Sequence, residues 1–445
     1  MDRKMDEKVE ADLLIRDSDY LDENFELVEG KSILIKDGRI EAIDTAERLR
    51  KKYDWKEELD GRGCVYMPGL VDSHMHTGQQ LLRGRVLDEM PMIWTRIMLP
   101  YESTLTPEKM RLSARMAAVE MIHAGTTGFI DAGSYFMEEA ADVYAGNGLR
   151  GALSYSTMDQ EGLPASIAMD AETAIRKTDE LYKEFHEQRN LKIYYSLRSL
   201  ISCSEELILM AAERAKEKHT MLQAHMNEYP GEINFYMERK QLRPYEYLDS
   251  LGVLGPDFLG AHSLLLTESE MRLLERRGVK VCHCPFSNCG KAAPRTPELL
   301  ERGVTVGLGT DGAAHGGLSL FQEMKIFRSV MNLTWGVPLA EPAVMPAKTI
   351  LAMATRGGQA CLGGDTDRDG RILPGARADI IGIDKNRIYM AVYGHMANTV
   401  LESAGTGDVR DSVCAGKVLM RDYRIQTLDE EEIYHEAVSW RENPV

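Results

Sequence analysis

Long hydrophobic runs are missing from this sequence. Nowhere do ~18 consecutive apolar residues occur, the length a membrane-crossing helix needs, so no membrane partner is expected. Positive charge is in deficit, with 53 Lys and Arg against 70 Asp and Glu and a formal charge of -17. That balance argues against nucleic acid or an anionic membrane surface as a partner. The segment Met1–Asp12 is charged and carries no apolar stretch of the kind a secretory signal needs, which makes cytoplasm the expected compartment. Cysteines are few, and their number, seven, is odd. Without framework spacing they read as reduced thiols. Cys282-His283-Cys284 resembles a metal site at first sight. It lies, however, in an apolar, strand-like run from Val279, where free cysteine behaves as a small hydrophobe.

What is present is the composition of a globular enzyme, 44% hydrophobic and 28% charged. A chain of 445 residues exceeds one ordinary compact domain but suits a barrel plus a smaller module. The middle of the chain alternates strands and helices. Thr106-Pro107-Glu108 opens a long Ala/Met-rich helix that closes around Gly125, and Ser202 with Glu205 is expected to cap another. Thr267-Glu268-Ser269-Glu270 is a capping box for a helix ending near Gly278. Thr296-Pro297-Glu298 starts a helix that Gly303 ends, and Val304 to Leu308 follows as a strand. Such alternation means parallel βαβ units, and their number favours a closed (β/α)8 TIM-like barrel over an open sheet.

The two ends read differently. They hold short alternating runs broken by turns, such as Ser32 to Ile40 with Asp37-Gly38 as a hairpin signal, Ala378 to Asp384, and Ser412 to Leu419. The economical organisation is a small β-sandwich built from both termini, residues 1–67 and 370–445, with the barrel of residues 68–369 inserted between them.

His74-Met75-His76 follows the apolar stretch Val65 to Val71. Residues two apart on a strand share a face, so both imidazoles can reach one ion at a strand's C-terminal end. His225, His262 and Asp311 each stand where an apolar run stops. One such histidine is commonly a satisfied structural residue, but polar residues at several matching strand ends are hard to read as core. Two histidines, a third histidine and a carboxylate suit Zn²⁺, or Fe²⁺, with a position left for water. Glu228, three residues past His225, is close enough to exchange protons with that water.

These residues sit in larger motifs: Pro68 to His76, Leu81-Leu82-Arg83-Gly84, Ala124-Gly125-Thr126-Thr127, His225 to Glu228, Ala261-His262, His283 to Asn288, Gly309 to Gly312 and Pro374 to Asp379. Together they resemble the amidohydrolase superfamily. Within it, the likeness is to the branch of adenosylhomocysteine/methylthioadenosine deaminases, guanine deaminase and s-triazine hydrolases. The resemblance covers nearly the whole chain. It implies His74, His76, His225 and Asp311 as metal ligands, and Glu228 and His262 as proton-handling residues. Homo-oligomers are common in that family.

The implied chemistry is hydrolytic deamination of a nitrogen heterocycle. A divalent ion lowers the pKa of its water from ~15.7 towards ~7. Asp311 and His262 accept the proton and orient the attack, Glu228 protonates the adjacent ring nitrogen, and ammonia leaves. Two-metal relatives use a carboxylated lysine from the fourth strand. Here that strand, Leu191 to Leu197, ends at Arg198 with Lys192 at its wrong end, so one metal is expected.

For the substrate, Trp94 and Glu102 match positions that hold the nucleoside in the adenosylhomocysteine-type enzymes. This chain departs from them with Arg198 in place of a histidine and Tyr155 in place of an arginine. Arg198 and Gln79 instead match the arginine and glutamine of guanine deaminase, and a guanidinium fork with an amide suits an oxo group beside an N–H. His315, near Asp311, is a further candidate for substrate contact. These matches favour a small oxopurine or pterin over an adenosine, with a triazine leaving group as another use of the same chemistry. Gly307 to Gly312 satisfies a dinucleotide fingerprint, but Asp311 would face a pyrophosphate with like charge. A non-catalytic relative would have lost a ligand or the proton shuttle, and all are in place.

Overall fold

The computed structural model describes residues 8–89, 93–341 and 343–442; the charged Met1–Glu7 lies outside them. From the N-terminus come β1 (Val9–Leu21), β2 (Leu27–Lys36), β3 (Arg39–Asp44), β4 (Tyr53–Asp60) and β5 (Cys64–Pro68). Asp37 and Gly38 both have positive φ, 51° and 73°, as a two-residue hairpin between β2 and β3 demands.

Next come the parallel strands β6 (Leu70–Met75), β7 (Thr126–Asp131), β8 (Arg150–Leu153), β9 (Leu191–Ile193), β10 (Tyr195–Leu197), β11 (Leu222–Met226), β12 (Phe258–His262), β13 (Lys280–His283) and β14 (Val306–Leu308). They form two ladders in sequence order, β6-β7-β8-β9 and β10-β11-β12-β13-β14. The expected fourth strand is therefore divided at Tyr194, whose N–H turns to the Leu153 carbonyl while that of Tyr195 turns to Met221. At the other end, the amides of Thr310 and Asp311 donate to the His74 carbonyl at 3.1 and 2.9 Å, drawing the last strand to the first. The strands are buried on both faces, which is why they read as near-continuous apolar runs.

The chain then returns to the N-terminal sheet with β15 (Ile380–Asp384), β16 (Val409–Cys414), β17 (Lys417–Arg421) and β18 (Arg424–Ile425). The order is β18-β17-β16-β15-β5-β1-β2-β3, with β4 on β1. Both ends of the chain thus share one nine-stranded sheet rather than two separately bonded layers. Register shifts within β1 let its first half pair β4 and its second half β5. The free edge of β3 folds back on the run before β15, with Ile40 N–H donating to the Ala376 carbonyl at 2.9 Å. Ile15, Ile33, Tyr66, Ala378 and Val413 fill the core so enclosed.

The helix signals are mixed in outcome. Thr106 accepts from Lys109 N–H and opens Pro107–His123, and Thr267 with Glu270 forms the capping box of Glu268–Arg277, closed by Gly278 in the left-handed region. The helix Glu205–Glu217 is capped by Ser204, not Ser202: the Ser204 hydroxyl accepts from Leu207 N–H at 3.0 Å. Ser202 instead sits in a short turn, its hydroxyl bonded to the Ser199 carbonyl. No helix among the described residues is long and apolar enough to cross a membrane.

Candidate active site

The site forms where β6, β11, β12 and β14 end. β6 delivers His74, and His76 follows on the same side. Beneath them Asp72, fully buried, accepts from Thr310 Oγ1 at 2.7 Å and from the amides of Thr310 and His74 at 3.1 and 3.3 Å. Burial raises the Asp72 carboxyl to about 7, against those hydrogen bonds. This clasp fixes the turn that presents Asp311. Asp311 itself has φ 59°, and His262 and Asn227 stand at 65° and 48°. Left-handed non-glycine residues cost of order 1 kcal/mol each and concentrate at functional sites.

One ligand atom from each of His74, His225, His262 and Asp311 lies within 4.8 Å of the others. His76 stands just outside this group, with its Nε2 3.4 Å from Asp311 Oδ1 and 3.3 Å from His225 Nε2. Its ring meets Arg198 Nη1 at 2.8 Å. His74 Nε2 is likewise 3.4 Å from Asp311 Oδ1. The tight cluster thus includes His262, which the family resemblance had placed among the proton-handling residues, and leaves His76 at its rim. Burial pushes His76 and His225 well below the usual imidazole value, and His262 to about 4. Buried neutral imidazoles beside one carboxylate suit a divalent cation. The fit is supported by His74 Nδ1 and Nε2 and His262 Nε2, buried nitrogens without a hydrogen-bond partner among the described residues. A buried polar atom without a partner is costly unless something else binds it.

Glu228 is next to this group, its Oε1 3.7 Å from His262 Nε2. Its backbone N–H is held by Glu232 at 3.1 Å. Burial pushes the Glu228 carboxyl up, but His262 and Lys291 outweigh it and hold it below the usual value. Asp311 lies well below the usual carboxylate range, because His315, His262 and the hydrogen bonds of His74 and His76 outweigh its burial. His315 Nε2 is 3.2 Å from Asp311 Oδ2, so this residue faces the centre rather than open solvent.

A cavity of about 480 Å³ opens onto these residues. Gln79, Trp94, Arg198 and His315 all line it, with Ile93, Met98 and Ile201 as its apolar wall. Glu102 does not line it. It lies behind Gln79 and Arg198, accepting from Arg198 Nη2 at 2.6 Å and Gln79 Nε2 at 3.2 Å through the same oxygen. Burial raises the Glu102 carboxyl despite Arg198. Lys192 is remote from the centre, bonded to the Leu362 and Gly363 carbonyls. His283 supports His262 from below, its Nδ1 2.8 Å from the His262 carbonyl. Cys282 and Cys284 are buried among Val71, Ile130 and Cys361.

Two further residues belong to the site. Lys291 lines the cavity and donates to Glu228 Oε1 at 2.5 Å and Ser287 Oγ at 2.7 Å. Ser287 donates to Asp311 Oδ2 at 2.6 Å. Ser287 lies inside the His283 to Asn288 motif and could have been singled out there. Lys291 follows the motif in an irregular loop, where neither period nor spacing marks it.

The amidohydrolase family model matches residues 65–419. The chain is 32% identical over 435 residues to the 5′-deoxyadenosine deaminase of Methanosarcina mazei, covering 96% of this chain and 97% of that one. It is 32% identical over 408 residues to the 5-methylthioadenosine/S-adenosylhomocysteine deaminase of Syntrophobacter fumaroxidans, covering 90% and 91%. A solved adenosine deaminase from Xanthomonas campestris with bound zinc shares the fold, with TM-score 0.91 at 24% identity over 98% of this chain and 99% of that one. Strand ends bearing three or four histidines and an aspartate, a glutamate beside them, and a match across most of the sequence lead to one conclusion: the chain belongs to the amidohydrolase family, as a hydrolase acting on carbon–nitrogen bonds.

Proposed function

We propose that this chain hydrolytically deaminates the adenine ring of a 5′-modified adenosine, with water replacing the exocyclic amino group and ammonia leaving. The observation that carries the reading is near-full-length likeness to nucleoside deaminases above 30% identity. The cavity supports it: about 480 Å³ is within the ordinary ~300–1,000 Å³ range of small-molecule sites. Its wall of Ile93, Trp94, Met98 and Ile201 suits a purine face and an apolar 5′ substituent, and Gln79 offers polar contact. We read the two parallel ladders as one (β/α)8 barrel spanning residues 68–369, flanked by residues 1–67 and 370–445.

His74, His76, His225 and Asp311 would hold one divalent ion, zinc first among candidates. When bound, such an ion supplies a water of lowered pKa and positive charge beside the reacting carbon. The protein's own groups do the rest. Asp311, fixed by Ser287 and His315, takes a proton from the attacking water, and His262 orients that water. Glu228, a carboxylate in the resting site, takes up the attacking water's other proton and delivers it to the ring nitrogen next to the reacting carbon, while Asp311 returns its proton to the amino group, which leaves as ammonia.

This reading displaces the oxopurine preference drawn from Arg198 and Gln79. Arg198 donates from Nη2 to Glu102 and meets His76 through Nη1, contacts that account for its position without a ring carbonyl. The oxopurine alternative retains one supporting observation, that Arg198 and Gln79 both line the cavity. The test is ammonia release by metal-replete protein from 5′-deoxyadenosine, methylthioadenosine, adenosine, guanine, pterins and aminotriazines. The 5′-modified adenosines should exceed guanine in kcat/KM by at least ~10-fold, and their product should be the hypoxanthine nucleoside. Preference for guanine or a pterin would return Arg198 to the role of ring reader. Ring opening without ammonia would overturn deamination altogether.

A further inference from the structure

Lys291 has no part in the steps above, yet its ammonium stands where the two proton-handling carboxylates meet. It donates to Glu228 Oε1 at 2.5 Å and to Ser287 Oγ at 2.7 Å, and lies 3.9 Å from Asp311 Oδ2. Its fourth neighbour is the face of Tyr229, whose ring centre is 5.2 Å away. The side chain is only 4% exposed. Burial works against its charge, but Glu228 and then Asp311 outweigh it, and the ammonium is held protonated.

Ser287 donates its own hydroxyl to Asp311 Oδ2. Glu228, Lys291, Ser287 and Asp311 thus form one unbroken chain of polar contacts along the cavity wall. Two like charges would otherwise repel across that wall, and Glu228 has a long side chain on a loop, anchored by Glu232 only at its backbone. With Lys291 on Oε1, the carboxylate has one orientation, and Oε2 is the oxygen left to meet a ring nitrogen.

We propose that Lys291 is the positioning residue that locks Glu228 for proton transfer, a role that rests on the deaminase reading. A carboxylate displaced by ~1 Å loses on the order of 100-fold in rate, whereas binding of the ring to the opposite wall is untouched. The experiment compares five metal-loaded proteins, each with its metal content measured: wild type, Lys291→Met, Lys291→Arg, Glu228→Gln, and Lys291→Met combined with Glu228→Gln. Lys291→Met should lower kcat by roughly 100-fold with KM within about threefold, and Lys291→Arg should recover at least about tenfold of that loss. In the Glu228→Gln background, Lys291→Met should change kcat by less than about threefold, because the group it positions is already disabled. Equal losses in both backgrounds, or a raised KM with kcat intact, would overturn the proposal. If wild type releases ammonia from no substrate, the deaminase reading fails on its own. Urea unfolding then decides the pairing: a midpoint lowered by Lys291→Met beside Glu228 but not in the Glu228→Gln background supports it, and equal shifts overturn it.

Discussion

Removing Arg198 should destabilise the protein far more than removing Arg198 and the charge of Glu102 together. Both side chains are almost wholly buried, at 2% and 1% exposure, and joined at 2.6 Å. A buried pair contributes little net stability, because desolvation offsets the attraction, but one partner left alone is an uncompensated buried charge. Arg198→Met should therefore cost about 3–5 kcal/mol, and Arg198→Met with Glu102→Gln should return to within about 1–2 kcal/mol of wild type. Gln79 cannot substitute for the guanidinium, since its amide already donates to the same Glu102 oxygen. The assay is urea unfolding with saturating metal, so that ion binding adds equally to every variant. The pH dependence has a defined sign. Burial raises the folded Glu102 carboxyl above its unfolded value, so the native state binds more protons and stability falls as pH rises through that window. Without Arg198 the carboxyl rises further, and the deficit should shrink as the pH is lowered and the carboxyl takes up its proton. A single-variant cost below about 1 kcal/mol, or a double variant as unstable as the single, would show that Glu102 is not the charge Arg198 compensates.

Three further outcomes follow from the site. Asp311→Asn should release the ion, and metal content after dialysis should fall at least about tenfold; retention equal to wild type would remove Asp311 from the ligand set. Glu228→Gln should lower kcat by about 10²–10⁴-fold at unchanged metal content, and near-wild-type turnover would end its role as proton donor. Thr267→Ala removes one half of the capping box and should cost about 1 kcal/mol on chemical unfolding; a neutral result would mean that Glu270 and Arg243 hold this helix end without the hydroxyl.

The strand-end residues were legible because the physics there is local. A strand alternates its faces, so His74 and His76 share one, and an apolar run that stops at a charged or imidazole side chain marks the mouth of a parallel sheet. Glu228 was legible for the same reason, by its distance from His225. Arg198 and Glu102 were each visible as candidates, but 96 residues separate them and no local pattern shows that they bind one another. That pairing gives Arg198 a partner within the protein, while the change of substrate reading rests on the likeness to nucleoside deaminases. Lys291 escaped because an irregular loop has no period, so a charge on it is indistinguishable from a solvated one until the fold buries it. The cap of Glu205–Glu217 moved from Ser202 to Ser204 for a related reason: several serines fit the composition of a cap, and only the dihedral path chooses between them.

The capping box shows how a legible local signal acquires a role that is not legible. Glu270 Oε2 accepts from the Thr267 amide, as the sequence pattern requires, and also from Arg243 Nε at 2.8 Å. Its other oxygen takes Asn227 Nδ2 at 2.8 Å. Asn227 is the left-handed residue between His225 and Glu228, and its carbonyl accepts from the amides of Leu264 and Leu265, just past His262. One carboxylate therefore ends a surface helix and ties the turn carrying Glu228 to the segment that follows His262. On the other side, Asp72 does the same for His74 and the turn of Asp311. The strained conformations at Asn227, His262 and Asp311 persist because these buried carboxylates over-determine them. The precision of the site therefore comes from the layer beneath its histidines and Asp311.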